Sequence, residues 1–292
     1  MVDCIFATYA ALPDLDPHDR LVMDALRDRD ISSCAGVWSD PSVEWSQARL
    51  CVVRSTWDYP AVHHAFLEWL ERVSSATKVR NDPETLRWNA HKFYLRDLQR
   101  AGVPVVPTEW LNAGECVRLD RLMERNGWSE AIVKPSYGGS SWNVLHVESL
   151  QDARDSGQRH LDRLLDHQDV LVQPFLHTLE AYPERALIFI GGAYSHTVTK
   201  TPFQTALPSG EAGDAPLVDA TPDEVAVAQR AIAAAPAPPM YARVDLVRDD
   251  AGAPRVLELE LIEPTLFLGV HPQSVDAFAD AIAQELRAPL LR

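Results

Sequence analysis

The stretch MYARVDLVRDDAGAPRVLELELIE, Met240 to Glu263, decides how the rest of the chain is read. Arg243, Asp245 and Val247 alternate with Val244, Leu246 and Arg248, and Glu258, Glu260 and Ile262 alternate with Leu257, Leu259 and Leu261. A strand sends alternate side chains to opposite faces, so each run has one apolar face and one charged face. Asp249-Asp250-Ala251-Gly252 supplies turn chemistry between them. A hairpin symmetric about Ala251 and Gly252 sets Asp245 opposite Glu258 and Arg243 opposite Glu260. Like charges facing each other destabilise a ladder. The face carrying Asp245, Glu258 and Glu260 therefore calls for a counter-charge, and a hard divalent cation with a preference for oxygen ligands meets that need. The alternative is the solvated outer face of an edge hairpin.

Working outward, 292 residues suffice for two or three lobes with their own cores. An apolar content of 46% and a charged content of 24% are those of a soluble globular chain. No apolar run is long enough to span a bilayer, and MVDCIFATYA lacks the basic start of a signal peptide. Cys4, Cys34, Cys51 and Cys116 show neither C-x-x-C nor zinc spacing, which fits a reducing, cytoplasmic setting. A net charge of −15 argues against a nucleic-acid surface. It also means that an anionic substrate needs a local reversal of field. Lysine is confined to Lys78, Lys92, Lys134 and Lys200, the other basic residues being arginine. A compact ammonium suits point contact with phosphate oxygens.

Strands over Asp3–Tyr9, Ile31–Trp38 and Arg49–Val53 alternate with helices capped at Asp16 and opened by Pro60, the pattern of an open parallel sheet. Ligands of such sheets bind beyond the carboxyl ends of the strands. Arg54-Ser55-Thr56-Trp57-Asp58-Tyr59 occupies one such end, and a capping turn around a buried Trp is its other reading. The spacing predicts one helix over Trp88–Ala101, carrying Lys92, and a strand over Val103–Thr108. The strand Ala131–Lys134 runs into Pro135-Ser136-Tyr137-Gly138-Gly139-Ser140-Ser141, whose residues by themselves read first as an ordinary flexible hairpin loop and otherwise as a loop whose backbone N–H groups meet an anion. This is not a P-loop, since the G-K-[ST] ending is missing. Strand Asp169–Gln173, a hairpin of Glu184–Ile190 and Ala193–Lys200 across Gly191-Gly192, and a capping box at Thr221 complete the pattern.

The order of these parts carries a resemblance. Lys92, IVKPSYGGSS with Lys134, VLVQPFL, Glu184, ARVDLV and VLELELIEP together resemble the ATP-grasp ligases, most strongly from Arg80 to Pro264. VVRSTWDY and VRNDPETLRWNAHKFYLRDL point to the branch similar to glutathione synthetase and D-alanine ligase, and within it to the D-cycloserine synthetases of antibiotic biosynthesis.

The resemblance implies an α/β fold of three lobes. A substrate-side domain would occupy residues 1–90, a central lid domain 91–176, and a C-terminal domain with the metal site 177–292. An N-terminal open parallel sheet would accompany two antiparallel sheets with ATP between them. Lys92 and Lys134 would hold the α- and β-phosphates, under a loop containing Gly138, Gly139, Ser140 and Ser141. Gln173, Phe175 and Leu176 would form the adenine hinge, and Glu184 would bind ribose, with Glu180 as the runner-up. Asp245, Glu258 and Glu260 would ligate Mg2+, or Mn2+ in its place; Glu260 stands where many members carry Asn. Arg243 would lie near the transferred phosphoryl group, with Lys134 and Lys200 as further catalytic cations. Arg54, Ser55, Thr56, Asp58 and His196 would face the amino-acid substrate, Arg54 pairing with its carboxylate and Asp58 with its ammonium.

The implied reaction activates a carboxylate as an acyl phosphate, which a nitrogen then attacks. The favoured substrate is O-ureido-D-serine, closed to D-cycloserine. An amino-acid or dipeptide ligase and a non-catalytic ATP-binding module are the alternatives. The expected partners are a small molecule and a second copy of the chain, without nucleic acid or membrane.

Overall fold

Strands and helices alternate through the first third of the computed structural model, which describes residues 1–139, 142–200 and 215–288. Strands β1 (Val2–Thr8), β2 (Ser33–Val37), β3 (Ala48–Ser55) and β4 (Lys78–Arg80) form a parallel sheet in the order β2-β1-β3-β4. Helix α1 (Pro17–Arg27) starts where Asp16 accepts the His18 N–H and Pro17 presets the first turn. Tyr59–Val62 forms a 3-10 turn, so α2 (His63–Ala76) begins three residues later than Pro60 suggests. Its face of Phe66, Trp69, Leu70 and Val73 packs with Trp38, Val53 and Tyr59 in one core. Burying each large apolar side chain of this kind contributes about 1.5–3 kcal/mol.

The single helix expected over Trp88–Ala101 is two: α3 (Pro83–Ala90) and α4 (Tyr94–Arg100). The 3.6-residue pattern runs through both, but the chain breaks at His91–Phe93, where the Lys92 N–H donates to the Ser136 carbonyl at 2.8 Å. The strand expected over Val103–Thr108 does not form. Pro104 and Pro107 remove donors from any ladder, and the segment meets the hairpin only around Val105 and Val256. The strand of this region is β5 (Glu109–Leu111). After α5 (Leu119–Asn126), closed by Gly127 at φ 70°, come β6 (Ala131–Pro135), β7 (Leu145–Val147), α6 (Gln151–Leu165) and β8 (Val170–Pro174). They build an antiparallel sheet in the order β5-β8-β6-β7.

A second antiparallel sheet, β11-β10-β9-β12-β13, holds the acidic hairpin. It contains β9 (Glu184–Ile190), β10 (Ala193–Lys200), β11 (Leu217–Val218), β12 (Tyr241–Arg248) and β13 (Pro254–Glu260). Helix α7 (Pro222–Ala233) enters it through the Thr221–Glu224 capping box, and α8 (Gln273–Arg287) closes the chain. Asp245 lies opposite Glu258 and Arg243 opposite Glu260, as the sequence suggests. The route differs, because Leu246 pairs with Val256 and Val247 with Arg255, so the turn is not centred on Ala251 and Gly252. An irregularity between Asp245 and Leu246 takes up the extra residue, and beyond it the acids face each other.

Candidate active site

The charged face of the hairpin turns inward. Asp245 is 1% exposed, and one carboxylate oxygen from each of Asp245, Glu258 and Glu260 lies within 4.8 Å of the others. The solvated edge is thereby set aside. Three carboxylates at this spacing are a fitting donor set for a hard divalent cation.

The three acids also have protein partners, drawn from four separate places in the chain. Lys92, at the break between α3 and α4, reaches Glu258 Oε1 with Nζ at 2.9 Å, and Lys134 on β6 reaches the same oxygen at 3.3 Å. Lys200, at the end of β10, bridges Glu184 at 2.5 Å and Asp245 at 2.8 Å. Arg243 holds Asp245 with a two-pronged contact, 2.9 Å for each nitrogen, and also reaches Glu260. Four cations and four acids are thus interleaved in a largely dry space. The expectation that Asp245 and Glu258 simply repel one another without metal is corrected by these partners.

Proton affinities follow the same geometry. Burial alone would raise Glu258, but the charges of Lys92 and Lys134 win and hold it well below the ordinary carboxylate range. Burial would depress Lys200, and Asp245 and Glu184 reverse that. Lys134 moves the other way: desolvation lowers it, with Lys92 adding to the effect. Burial raises Glu184 and Glu260. Glu263, which the sequence reading passes over, is pushed up to about 8 by burial and by its neighbour Glu260.

Around this cluster the other candidates separate. Gln173 is buried and donates to Thr108 Oγ1 at 2.9 Å. Phe175 follows β8, its N–H bonded to the Glu130 carbonyl, and Leu176 opens a 3-10 turn over His177–Glu180. Glu184 joins the cluster, whereas Glu180 is exposed on that turn. Gly138 and Gly139 lie in the loop after β6, where a side-chain carbon at Gly138 would come within 3.2 Å of Pro135. Ser140 and Ser141 lie outside the described residues.

The substrate lip is placed differently from expectation. Arg54 is 3% exposed; its Nε donates to Asp19 at 3.0 Å and its Nη2 to the Pro264 carbonyl at 2.8 Å, while Nη1 has no partner among the described residues. Ser55 is buried against Asp19, and Thr56 is buried with its hydroxyl unpartnered among the described residues. Asp58 is half-buried and accepts from Trp38 Nε1 at 2.7 Å. His196 is buried, stacked on His271 at 4.5 Å, and set well apart in proton affinity, lowered to about 4 by burial and by His271. The strand-end motif therefore works largely as an interior joint. A lone arginine at a strand end gives no sign in sequence of whether it meets solvent or an acid 35 residues earlier.

Comparison with known proteins gives the family and the fold. Residues 4–81 match the family model for the N-terminal domain of D-cycloserine synthetase DcsG. The chain is 34% identical to the cycloserine biosynthesis protein DcsG of Streptomyces lavendulae over 282 residues, 91% of this chain and 93% of that protein. The crystal structure of D-cycloserine synthetase DcsG superposes with a TM-score of 0.88 at 33% identity, covering 97% of this chain and 99% of the other. An ATP-grasp ligase, PsnB, solved with a minimal precursor, Mg and ADP, gives 0.64 at 17% identity over 98% of each chain, a likeness of fold.

Proposed function

The chain belongs to the D-cycloserine synthetase family of ATP-grasp carbon–nitrogen ligases, and from that premise we propose that it cyclises O-ureido-D-serine to D-cycloserine at the expense of ATP. The observation that carries this reading is the interleaving of Lys92, Lys134, Lys200 and Arg243 with Glu184, Asp245, Glu258 and Glu260. Phosphoryl transfer asks a protein for positioning and charge neutralisation more than for covalent chemistry. The cluster supplies both signs of charge within a few ångströms.

Asp245, Glu258 and Glu260 are the residues that would hold Mg2+, whose charge would offset that of the β- and γ-phosphates. Once the acids have that partner, Lys92 and Lys134 are released from Glu258 and can donate to phosphate oxygens. Arg243, two residues from Asp245 on the same strand face, faces the group in transfer and stabilises the charge that develops there. The substrate carboxylate attacks the γ-phosphorus and ADP leaves, giving an acyl phosphate. Hydrolysis of the ureido group yields CO2 and ammonia and frees an aminooxy nitrogen. That nitrogen attacks the acyl carbon, the C–N bond forms, and phosphate departs with the former carboxylate oxygen. Per turnover, ATP and one water are consumed. The described placement of Glu184 beside Lys200 supports a ribose-side role for that end of the cluster, with the β8 end, Gln173 to Leu176, as the adenine hinge.

The test is ADP release with ATP and Mg2+ against O-ureido-D-serine, O-ureido-L-serine and D-alanine, with products read by mass. The D-enantiomer should release ADP and yield the five-membered ring. ADP release with D-alanine and a dipeptide product, without ring formation, would replace the reading by that of an amino-acid ligase.

A further inference from the structure

Five consecutive carbonyls after β13 each accept a hydrogen bond from a side chain. Asn81 Nδ2 holds Leu261 at 2.7 Å, the Tyr241 hydroxyl holds Ile262 at 2.9 Å, and Trp57 Nε1 holds Glu263 at 3.1 Å. Arg54 Nη2 holds Pro264 at 2.8 Å, and Arg243 Nη1 reaches Thr265 at 3.4 Å. Asn81, Trp57 and Arg54 come from the N-terminal part of the chain, Tyr241 and Arg243 from β12. The segment is stitched between the parallel sheet and the charged cluster, and its backbone has little freedom left.

This clamp fixes the main chain that carries one further carboxyl, Glu263. Glu263 is half-buried, and its charge acts on Glu260, Lys92 and Arg243 on one side and on Tyr59 and Tyr241 on the other. It is not among the acids within 4.8 Å of one another. Each other acid of this neighbourhood already has a donor: Asp16 the His18 N–H, Asp19 Arg54, Asp58 Trp38, Asp245 Arg243 and Lys200. The Glu263 carboxyl has no side-chain partner among the described residues. Trp57, whose indole N–H holds the Glu263 main-chain carbonyl at 3.1 Å, has the Tyr9 ring 6.1 Å from its own. A half-buried carboxylate without a side-chain partner is incompletely compensated, and a bound cation offsets that cost.

We infer that Glu263 is the receptor for the substrate's α-ammonium, a specificity-determining residue of the ligase. The inference rests on the amino-acid substrate class proposed above and adds which group reads it. In an amino acid the ammonium and the carboxylate share one carbon. Its receptor must therefore lie next to the phosphoryl-transfer cluster without belonging to it. Glu263, three residues past Glu260, has that position. It takes the role that the sequence reading gives to Asp58, whose carboxylate is engaged by Trp38. The ammonium donates, and the carboxylate accepts.

The experiment compares wild type with Glu263→Gln by calorimetry, in the presence of a non-hydrolysable ATP analogue and Mg2+. Two probes are used: O-ureido-D-serine and 3-(ureidooxy)propanoate, which lacks the α-amino group. Wild type should bind the amino acid at least tenfold more tightly than the deaminated probe. Glu263→Gln should lose that preference, bind the deaminated probe as wild type does, keep its nucleotide affinity within twofold, and unfold no earlier than wild type. A preference retained in the variant, or equal losses for both probes, overturns the assignment of Glu263 while leaving the ligase reading intact. Absence of amino-acid binding by wild type, with nucleotide bound, overturns the substrate class and this inference with it.

Discussion

Replacing Glu258 by glutamine tests the charge cluster most directly. Glu258 Oε1 is shared by Lys92 at 2.9 Å and Lys134 at 3.3 Å, with side-chain exposures of 21%, 12% and 5% for the three residues. At an effective dielectric constant of about 20, those distances correspond to attractions of about 6 and about 5 kcal/mol, before desolvation is subtracted. Breaking a buried pair costs about 3–5 kcal/mol, since the remaining charge is left without compensation. Here two ammonium groups remain, facing each other. The glutamine carbonyl still accepts a hydrogen bond, so the net loss should sit near the lower end, about 3 kcal/mol, or roughly 6 °C in melting temperature for a chain of this size. The acid's folded pKa is depressed. Its contribution is therefore full above the unfolded value of about 4.3 and is lost only as pH falls through the lower folded value. The gap between variant and wild type should accordingly be constant from pH 5 to pH 8 and close below pH 4. Turnover should fall on the order of 100-fold, the cost of a misplaced metal–phosphate contact. Metal-free triphosphate, in contrast, should bind the variant more tightly, because the lysines are no longer held by a carboxylate. Thermal unfolding across pH, with and without triphosphate, and ADP release across a Mg2+ titration give all four readings. A variant as stable as wild type would refute the pairing argument, and wild-type turnover would refute the metal site.

Arg54→Ala leaves Asp19 buried without its counter-charge, so the urea midpoint should drop by the equivalent of about 3–5 kcal/mol; an unchanged midpoint combined with lost amino-acid affinity would return Arg54 to a substrate-contact role. His196 is held neutral in the fold, its pKa lowered to about 4 by burial and by His271. Between pH 6.5 and about 4 the unfolded chain takes a proton that the fold refuses, so stability should fall by up to about 3 kcal/mol across that window. His196→Asn should flatten this part of the pH profile, and an identical slope in the variant would show that other groups cause it.

What could be read from sequence and what could not divides along the range of the interactions. The register that brings Asp245 opposite Glu258 follows from period-2 alternation and a turn, both local, and it survives an asymmetric turn because an irregularity restores the pairing. The break that exposes Lys92 does not follow from local pattern. Its helical periodicity is continuous, and the interruption is fixed by Ser136, 44 residues further on. Arg54 shows the same limit, reading as a strand-end arginine until Asp19 and the Pro264 carbonyl enclose it. Glu263 has only the spacing E-x-E-x-x-E as a signal, and the carbonyl clamp that gives it a place draws on Trp57, Asn81 and Arg54.

The sign of the electrostatics is lost for the same reason. Along β12 and β13 a local reading sees only acids facing acids, and infers repulsion that a metal must cure. The compensating cations come from elsewhere, Lys92 and Lys134 being 166 and 124 residues from Glu258. The cluster is therefore not a set of like charges alone. Its phosphate-binding cations and its metal-binding acids neutralise each other. Neither Mg2+ nor triphosphate alone gains the full advantage, because each must displace one half of a pair and strand the other. Arriving together they leave every charge with a partner, and binding of metal and nucleotide should be mutually reinforcing for that reason.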